Sequence, residues 1–481
     1  MNKLAYQHIK IKAGRINVDR FRQIIKVLIR YQIDKISIGE QQTIYYQGIK
    51  ENELLSKSIE TLNFSFQTEN NYNLVSSIPA LDILASSHWI HAGVYSKIAQ
   101  SFPKIKPLSV RVVDPSQRLV SLFGSQVNFI ASEQLNFWYL YIRNLDGTYF
   151  LWPVMINSNS VGGTYQILCE LLTNNIYLDN KTLVKLFNQQ NVSISTRNYL
   201  EQPKIESMEF PYFDGLHYTG KDYWFGFSGA KGYFTTKELD VFFVLLENIK
   251  VKEIYINLRG GLIIKGIDAD KVPLLNQWIK RSTFKTGRAF NELGWQFDGL
   301  DLKAYNLKNG FSKQLSERGN ENYGFSLKLI PKNQLNLFKE DTDYVIAYSS
   351  FLPFSSIFDR YKLYIKKSKN PLDGIYAQVG YSQSYEEIVE NLYTKLKSES
   401  TLQINNFILE QEEINKVESN QEKNTQLYIC EECDTIYDPE IGDINQGILP
   451  GTDFKFLPED YACSVCGAHK SAIKEIQINF N

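Results

Sequence analysis

GRINVDRFRQIIKVLIRYQIDKISIGEQQTIYYQGIK, residues 14–50, lies without a gap on GYFTTKELDVFFVLLENIKVKEIYINLRGGLIIKGID, residues 232–268. The offset is 218 throughout, and six positions are identical: Gly14/Gly232, Leu28/Leu246, Ile36/Ile254, Ile38/Ile256, Gly48/Gly266 and Ile49/Ile267. Ten more positions pair apolar with apolar. The shared phase says more than the identities. In the first copy a glycine turn opens a helix with apolar residues at Phe21, Ile24, Ile25 and Leu28, matched by Leu239, Phe242, Phe243 and Leu246 in the second. That i, i+3, i+4, i+7 spacing gathers them on one helix face. A short strand then alternates at Ile36 and Ile38, and another at Ile44–Tyr46 ends at the shared glycine. Each copy predicts a helix followed by a hairpin, one half of a mixed sheet. The fold class expected is α+β by duplication.

The surroundings of the repeat fit that class. The chain has 481 residues, too many for one ordinary core. Hydrophobic residues make up 43% and charged residues 22%, which excludes wholesale disorder. Tyr and Phe number 30 and 29, suiting sheet-rich cores better than a coiled coil. A net charge of −1 argues against a polybasic nucleic-acid binder. The first twenty residues hold no apolar core of signal-peptide length, and no window approaches about 18 apolar residues. The expectation is a soluble, cytoplasmic protein with neither nucleic acid nor membrane as partner.

The near-neutral total hides a division. From Glu410 to Gln426 the sequence EQEEINKVESNQEKNTQ has only Ile414 and Val417 as aliphatic residues and no aromatic. Such a segment buries too little surface to fold alone and reads as a tether of roughly 20–25 Å mean span. Beyond it, ten acidic residues face Lys455, Lys470 and Lys474, a net charge of −7 that leaves +6 on the rest. Opposite charges across a tether favour docking of one part on the other, or steering of each to outside partners.

Four of the five cysteines lie in that acidic tail, as Cys430-Glu-Glu-Cys433 and Cys463-Ser-Val-Cys466. Two intervening residues let both sulfurs of a pair face one ion from a tight turn. Two such turns close a tetrahedral S4 shell for zinc or iron, so ligand spacing alone does not name the metal. The fifth, Cys169 in Gln166-Ile-Leu-Cys169-Glu-Leu-Leu172, reads as a small buried hydrophobe.

The segment YICEECDTIYDPEIGDINQGILPGTDFKFLPEDYACSVCG, residues 428–467, resembles rubredoxin along its whole length. The match includes Tyr428, Tyr437-Asp438-Pro439, Gly442-Asp443, Gly447, Pro450-Gly451-Thr452-Asp453-Phe454 and Leu457-Pro458-Glu459-Asp460. Asp434 stands where the family usually has glycine, and Tyr461 where it often has Trp. The resemblance implies one iron ion (Fe2+/Fe3+) held by Cys430, Cys433, Cys463 and Cys466, and a carrier rather than a catalyst. It also implies that Tyr428, Tyr437, Phe454 and Tyr461 form an aromatic core, which a domain of about 50 residues needs because it has little other apolar surface.

The repeated unit resembles the duplicated ferredoxin-like half-domains of siroheme-dependent sulfite and nitrite reductases. The residues concerned are Gly14-Arg15-Ile16, Ile38-Gly39-Glu40-Gln41-Gln42-Thr43-Ile44 and Asn291-Glu292-Leu293-Gly294-Trp295-Gln296. Those reductases hold a cluster through four cysteines, and this body has only Cys169. No four-cysteine cluster fits there, and siroheme is not expected. Gln41 stands at the family's substrate-arginine position in the first copy, whereas Arg259 falls there in the second. Lys104 and Lys106, between Pro103 and Pro107, read as a solvated loop; His88 and His91 read as packing or surface residues without a third ligand. Gly226, Gly229 and Gly232 read as a loop entering the repeated turn. No catalytic or cofactor-binding residue is assigned in the body.

The sequence therefore predicts two related mixed α/β half-domains, 1–205 and 206–405, a polar linker 406–426 and a small rubredoxin-like metal-bound β domain, 427–477. The function expected is electron transfer, with the body as a docking scaffold for redox protein partners. Fold analogy points towards nitrite, nitrate or sulfite assimilation. Two other readings stand beside it: an oxidoreductase whose body binds a further cofactor and substrate, and a non-redox interaction protein with structural zinc.

Overall fold

A computed structural model describes residues 4–398 and 427–476, except 50–52, 69–70, 85, 118, 175–177, 191, 200–202, 204, 206–213, 259, 287–293, 320–324, 334–341, 350–358, 368–371, 373–375, 434, 438, 440–442, 444–445, 447, 449–451 and 464–465. The tether Glu410–Gln426, the boundary at 205–206, Arg259 and Asp434 fall wholly or partly outside these residues. The chain forms two compact units, Met1–Ser400 and Thr401–Asn481. Both mix helix or turn with sheet, and the α+β class holds.

The repeat is physical. Helix Val18–Arg30 buries Phe21, Ile24, Ile25 and Leu28 completely, and helix Thr236–Asn248 does the same with Leu239, Phe242, Phe243 and Leu246. Asn17 caps the first helix, its Oδ1 accepting from the Asp19 amide at 3.0 Å. Both helices end alike. Gln32 and Lys250, 218 residues apart, take left-handed φ values of 59° and 62°. In the next position the amides of Ile33 and Val251 each donate to a carbonyl five residues back, Leu28 and Leu246, at 2.9 Å. The hairpin strands Lys35–Gly39 and Thr43–Ile49 match Glu253–Ile256 and Gly261–Ile267. The second strand of each hairpin runs past the shared glycine rather than ending on it.

Each hairpin joins an antiparallel sheet, and the two copies complete each other's sheets. Leu4–Lys10 pairs with Thr43–Ile49, which pairs with Lys35–Gly39. The edge of that sheet is Phe234–Thr235 from the second copy, with Phe234 opposite Ile36. Reciprocally, Arg15–Asn17 of the first copy edges the second sheet, with Ile16 opposite Ile254. Both exchanges obey the 218 offset, so they are related by the internal pseudo-twofold. The helices meet across it: Phe21 and Phe243 rings lie 4.9 Å apart, and Arg22 bridges to Asp240 at 2.7 Å and Glu247 at 3.0 Å. One core spans both copies.

Duplication extends further than the aligned residues. In the first copy Leu74–Ser76, Val110–Val113 and Val127–Ala131 run parallel, followed by antiparallel Phe137–Arg143. In the second, Gly294–Gln296, Ser326–Pro331 and Tyr344–Ser349 run parallel, followed by antiparallel Arg360–Lys366. Helices Ala92–Ser101 and Leu302–Glu317 occupy the first crossover of each. Trp295 is buried in that second sheet. Gly226 and Gly229 belong to strand Tyr223–Gly229, which corrects the loop expected there. At Gly229 a Cβ would stand 1.8 Å from the Tyr233 carbonyl oxygen, which leaves no room for a side chain.

The tail has a three-stranded antiparallel sheet, Ile436–Tyr437, Leu427–Cys430 and Ile473–Ile476 in that order. Its core is aromatic. Tyr428 and Phe454 stack with centroids 4.3 Å apart, and Tyr437 lies 5.9 Å from both Phe454 and Tyr461. Among the described residues, no helix is long and apolar enough to cross a membrane.

Candidate metal centre

Each cysteine pair in the tail sits on a turn pinned by backbone bonds. The Cys430 amide donates to Thr435 O at 2.9 Å, and the Cys463 amide to Ala468 O at 2.8 Å. Gly467 closes the second turn with a φ of 74°, a left-handed value that favours glycine, and its amide donates to Cys463 O at 2.8 Å. The loop between the pairs is tied down by three long-range bonds. Tyr461 Oη donates to Asp443 at 2.8 Å, Tyr437 Oη to Thr452 O at 2.6 Å, and Lys470 Nζ to Leu457 O at 2.6 Å. Tyr461 therefore keeps a polar handle of the kind a Trp would offer at its place.

These turns bring all four sulfurs together, every pair within 4.8 Å. Cys430 and Cys466 stand 3.6 Å apart, as do Cys433 and Cys463. A tetrahedron with metal–sulfur bonds of about 2.3 Å has edges of roughly 3.8 Å. The donor set and spacing fit one thiolate-bound ion, and the site is compatible with one iron. Burial is uneven. The first cysteine of each pair, Cys430 and Cys463, is buried; Cys433 is half-buried and Cys466 exposed. The side open to a partner is thus that of the second cysteines. The Cys433 thiol is held below its ordinary range by the hydroxyl of Thr435 and then by its backbone amide.

In the body, the residues singled out from sequence do not converge. Cys169 is buried in helix Val161–Asn174, its thiol pushed up by burial. His91 caps helix Ala92–Ser101, Nδ1 accepting from the Gly93 amide at 3.2 Å, and His88 is exposed. Among the described residues, the tail cysteines are the one group of metal-ligating side chains.

Two features were missed. Gln42, fully buried, is a clamp between the copies. Its amide donates to Ser76 O at 2.9 Å and Ile256 O at 3.1 Å and accepts from the Ser76 amide at 2.9 Å. It explains Gly14, where a Cβ would lie 2.4 Å from that side chain. Lys106 is not the solvated residue expected. It is 9% exposed, and Lys10 is 7% exposed. Lys10 Nζ donates to Asn71 Oδ1 at 2.7 Å, while Lys106 Nζ reaches the carbonyls of Pro103 and Lys104 at 3.2 and 3.3 Å. Both ammonium groups are pushed down to about 8, Lys10 by burial and Lys106, Lys106 by burial and Lys12. Neither has a carboxylate partner among the described residues. The signal was three lysines on two short segments, Lys10, Lys12 and Lys106, with no acid beside them.

The comparisons with known proteins divide the chain at the same place. Residues 427–473 match the family model described as Rubredoxin. A high molecular weight rubredoxin of Moorella thermoacetica is 51% identical over 49 residues, 10% of this chain and 21% of that one. An anaerobic nitric oxide reductase flavorubredoxin of Aliivibrio fischeri is 40% identical over 52 residues, 11% of this chain and 10% of that one. The chain thus spans only about a fifth and a tenth of these curated relatives. The structure of the NirA protein of Mycobacterium tuberculosis covers 81% of this chain and 80% of its own, with a TM-score of 0.62 at 11% identity. At that identity the likeness is one of fold. The tail carries a rubredoxin domain, a kind of domain that transfers electrons to or from redox partners. The body has a fold seen in NirA, in keeping with the resemblance read from its repeat.

Proposed function

We propose that this chain is an electron-transfer protein whose centre is one iron ion held by Cys430, Cys433, Cys463 and Cys466. The observation that carries the proposal is the convergence of those sulfurs within 4.8 Å inside a segment that matches rubredoxin. When bound, iron supplies a one-electron couple. The chain's part is to hold four thiolates in one place in both oxidation states and to keep two of them buried. Fixed ligands keep reorganisation small, and hydrogen bonds and burial around sulfur set the potential. The layout proposed is two body copies, about 1–205 and 206–405, a tether 406–426 and the carrier 427–477. The body serves as a docking scaffold for a redox protein and holds neither a four-cysteine cluster nor siroheme. Metal analysis with a visible spectrum tests this directly. One iron per chain, red when oxidised and bleached by dithionite, supports it; a colourless protein with one zinc supports the structural-zinc reading.

A second reading has its own observation. Lys10 and Lys106 are buried cations without a described carboxylate, beside Lys12. Such a cluster suits a small oxyanion. In this reading the body is part of an oxidoreductase that binds its substrate there. Calorimetric titration of the full chain with nitrite, sulfite and inorganic phosphate tests it. Heat of binding abolished by Lys106→Met favours this reading, and no heat from any of the three removes its support.

A further inference from the structure

Cys433 differs from the other three tail sulfurs. Among the described residues it alone has a side-chain hydroxyl against it: Thr435 Oγ1 lies 3.1 Å from Cys433 Sγ. A thiolate ligand has no proton, so in a loaded site the hydroxyl is the donor. We propose that Thr435 is a positioning residue that sets the reduction potential of the centre by donating this O–H···S hydrogen bond. The inference rests on the iron reading above.

The local structure holds the hydroxyl in place. Thr435 O accepts from the Cys430 amide at 2.9 Å, and Ile436 next to it pairs with Ile429 in the sheet. The backbone of Thr435 is therefore pinned to the first ligand's strand. Its side chain is β-branched and stiff at χ1, so few rotamers compete with the observed one. Thr435 is half-buried, which shields the bond from water and strengthens it.

The direction follows from charge. Four thiolates around ferric iron carry one net negative charge, and around ferrous iron two. A donor aimed at a sulfur stabilises the more negative state more, so it favours the reduced form and raises the potential.

The test uses the full-length protein with Thr435→Val, which removes the hydroxyl at nearly constant shape, and Thr435→Ser, which keeps it. Iron per chain and the potential from a spectroelectrochemical titration are measured for each. Valine is expected to retain iron and to shift the equilibrium towards the oxidised form about tenfold, which is about 59 mV for a one-electron couple. Serine is expected to stay near the parent value. An unchanged potential in the valine variant with iron retained overturns the inference alone. So does an equal shift in both variants, because packing rather than the hydroxyl would then be responsible. A parent protein that holds zinc and no iron overturns the proposed function and this inference with it.

Discussion

Gln42→Met removes one amide from the seam between the two copies and changes little else. Gln42 is completely buried and sits at a φ of 52°. Methionine of similar length meets the same backbone strain, so the difference isolates the hydrogen bonds. Three are lost. The Ser76 amide has Gln42 Oε1 at 2.9 Å as its acceptor, and stranding a buried donor costs about 1–3 kcal/mol. The carbonyls of Ser76 and Ile256 each lose a donor but keep a second lone pair, so each adds about 0.5–1 kcal/mol. The expected loss is about 3 kcal/mol, roughly a hundredfold in the folding equilibrium. Urea unfolding followed by tryptophan fluorescence reads it as a lower midpoint for the body transition. Gln23→Met on the exposed face of helix Val18–Arg30 is the control and should move the midpoint by less than about 0.5 kcal/mol. Iron content should be unaffected in both. A Gln42→Met loss no larger than the control's would refute the clamp.

Gly14→Ala should destabilise the body by more than about 2 kcal/mol, since its φ of 70° disfavours a side chain and its Cβ would meet Gln42 at 2.4 Å; the same urea titration checks it. Cys433→Ser and Cys466→Ser should each lower iron retention and the thermal stability of the tail, whereas Cys169→Ala should leave the iron count and electron transfer unchanged; metal analysis after gel filtration separates them. His8 is held down to about 4 by burial, against a smaller upward pull from Glu40. A histidine kept neutral by the fold binds its proton more readily when unfolded. Its contribution is present above its ordinary value of about 6.5 and is lost as pH falls towards 4, by up to about 3 kcal/mol. Stability measured from pH 7 to 4 should therefore fall less steeply in His8→Phe, and an unchanged slope would disprove the assignment.

What the sequence made legible was local. The stripe Phe21, Ile24, Ile25, Leu28 was readable because burial of one helix face imposes its period on consecutive residues. The four ligands were readable because both turns are short and the metal dictates their spacing. Gly14 and Gly232 were visible as a shared turn, yet the reason for Gly14 lies in Gln42, a contact that only the folded hairpin creates. The strand exchange was hidden because Arg15–Asn17 and Phe234–Thr235 are too short to carry a pattern of their own. The parallel sheets of the two copies had diverged in sequence while keeping their order. Lys106 between two prolines looked like a solvated loop, and its burial depends on Asn71 from a different segment. Thr435 gave no signal at all, since a hydroxyl near a sulfur follows from side-chain direction rather than residue spacing.

The reciprocal strand exchange bears on how the two copies recognise each other. A copy produced alone would lack the edge strand that its neighbour supplies, and an open sheet edge seeks a partner. The nearest substitute is a second identical copy. Arg22 and Asp240 occupy equivalent positions, 218 residues apart, and they meet each other across the pseudo-twofold. Two first copies brought together in the same way would set Arg22 against Arg22, and two second copies Asp240 against Asp240. Like charges at close range oppose both self-pairings, while the mixed pairing gains a 2.7 Å ion pair. If the chain were severed between the copies, the fragments should therefore reassemble as a heterodimer in preference to either homodimer. The Arg22–Asp240 pair is thus a charge code that favours each half pairing with the other.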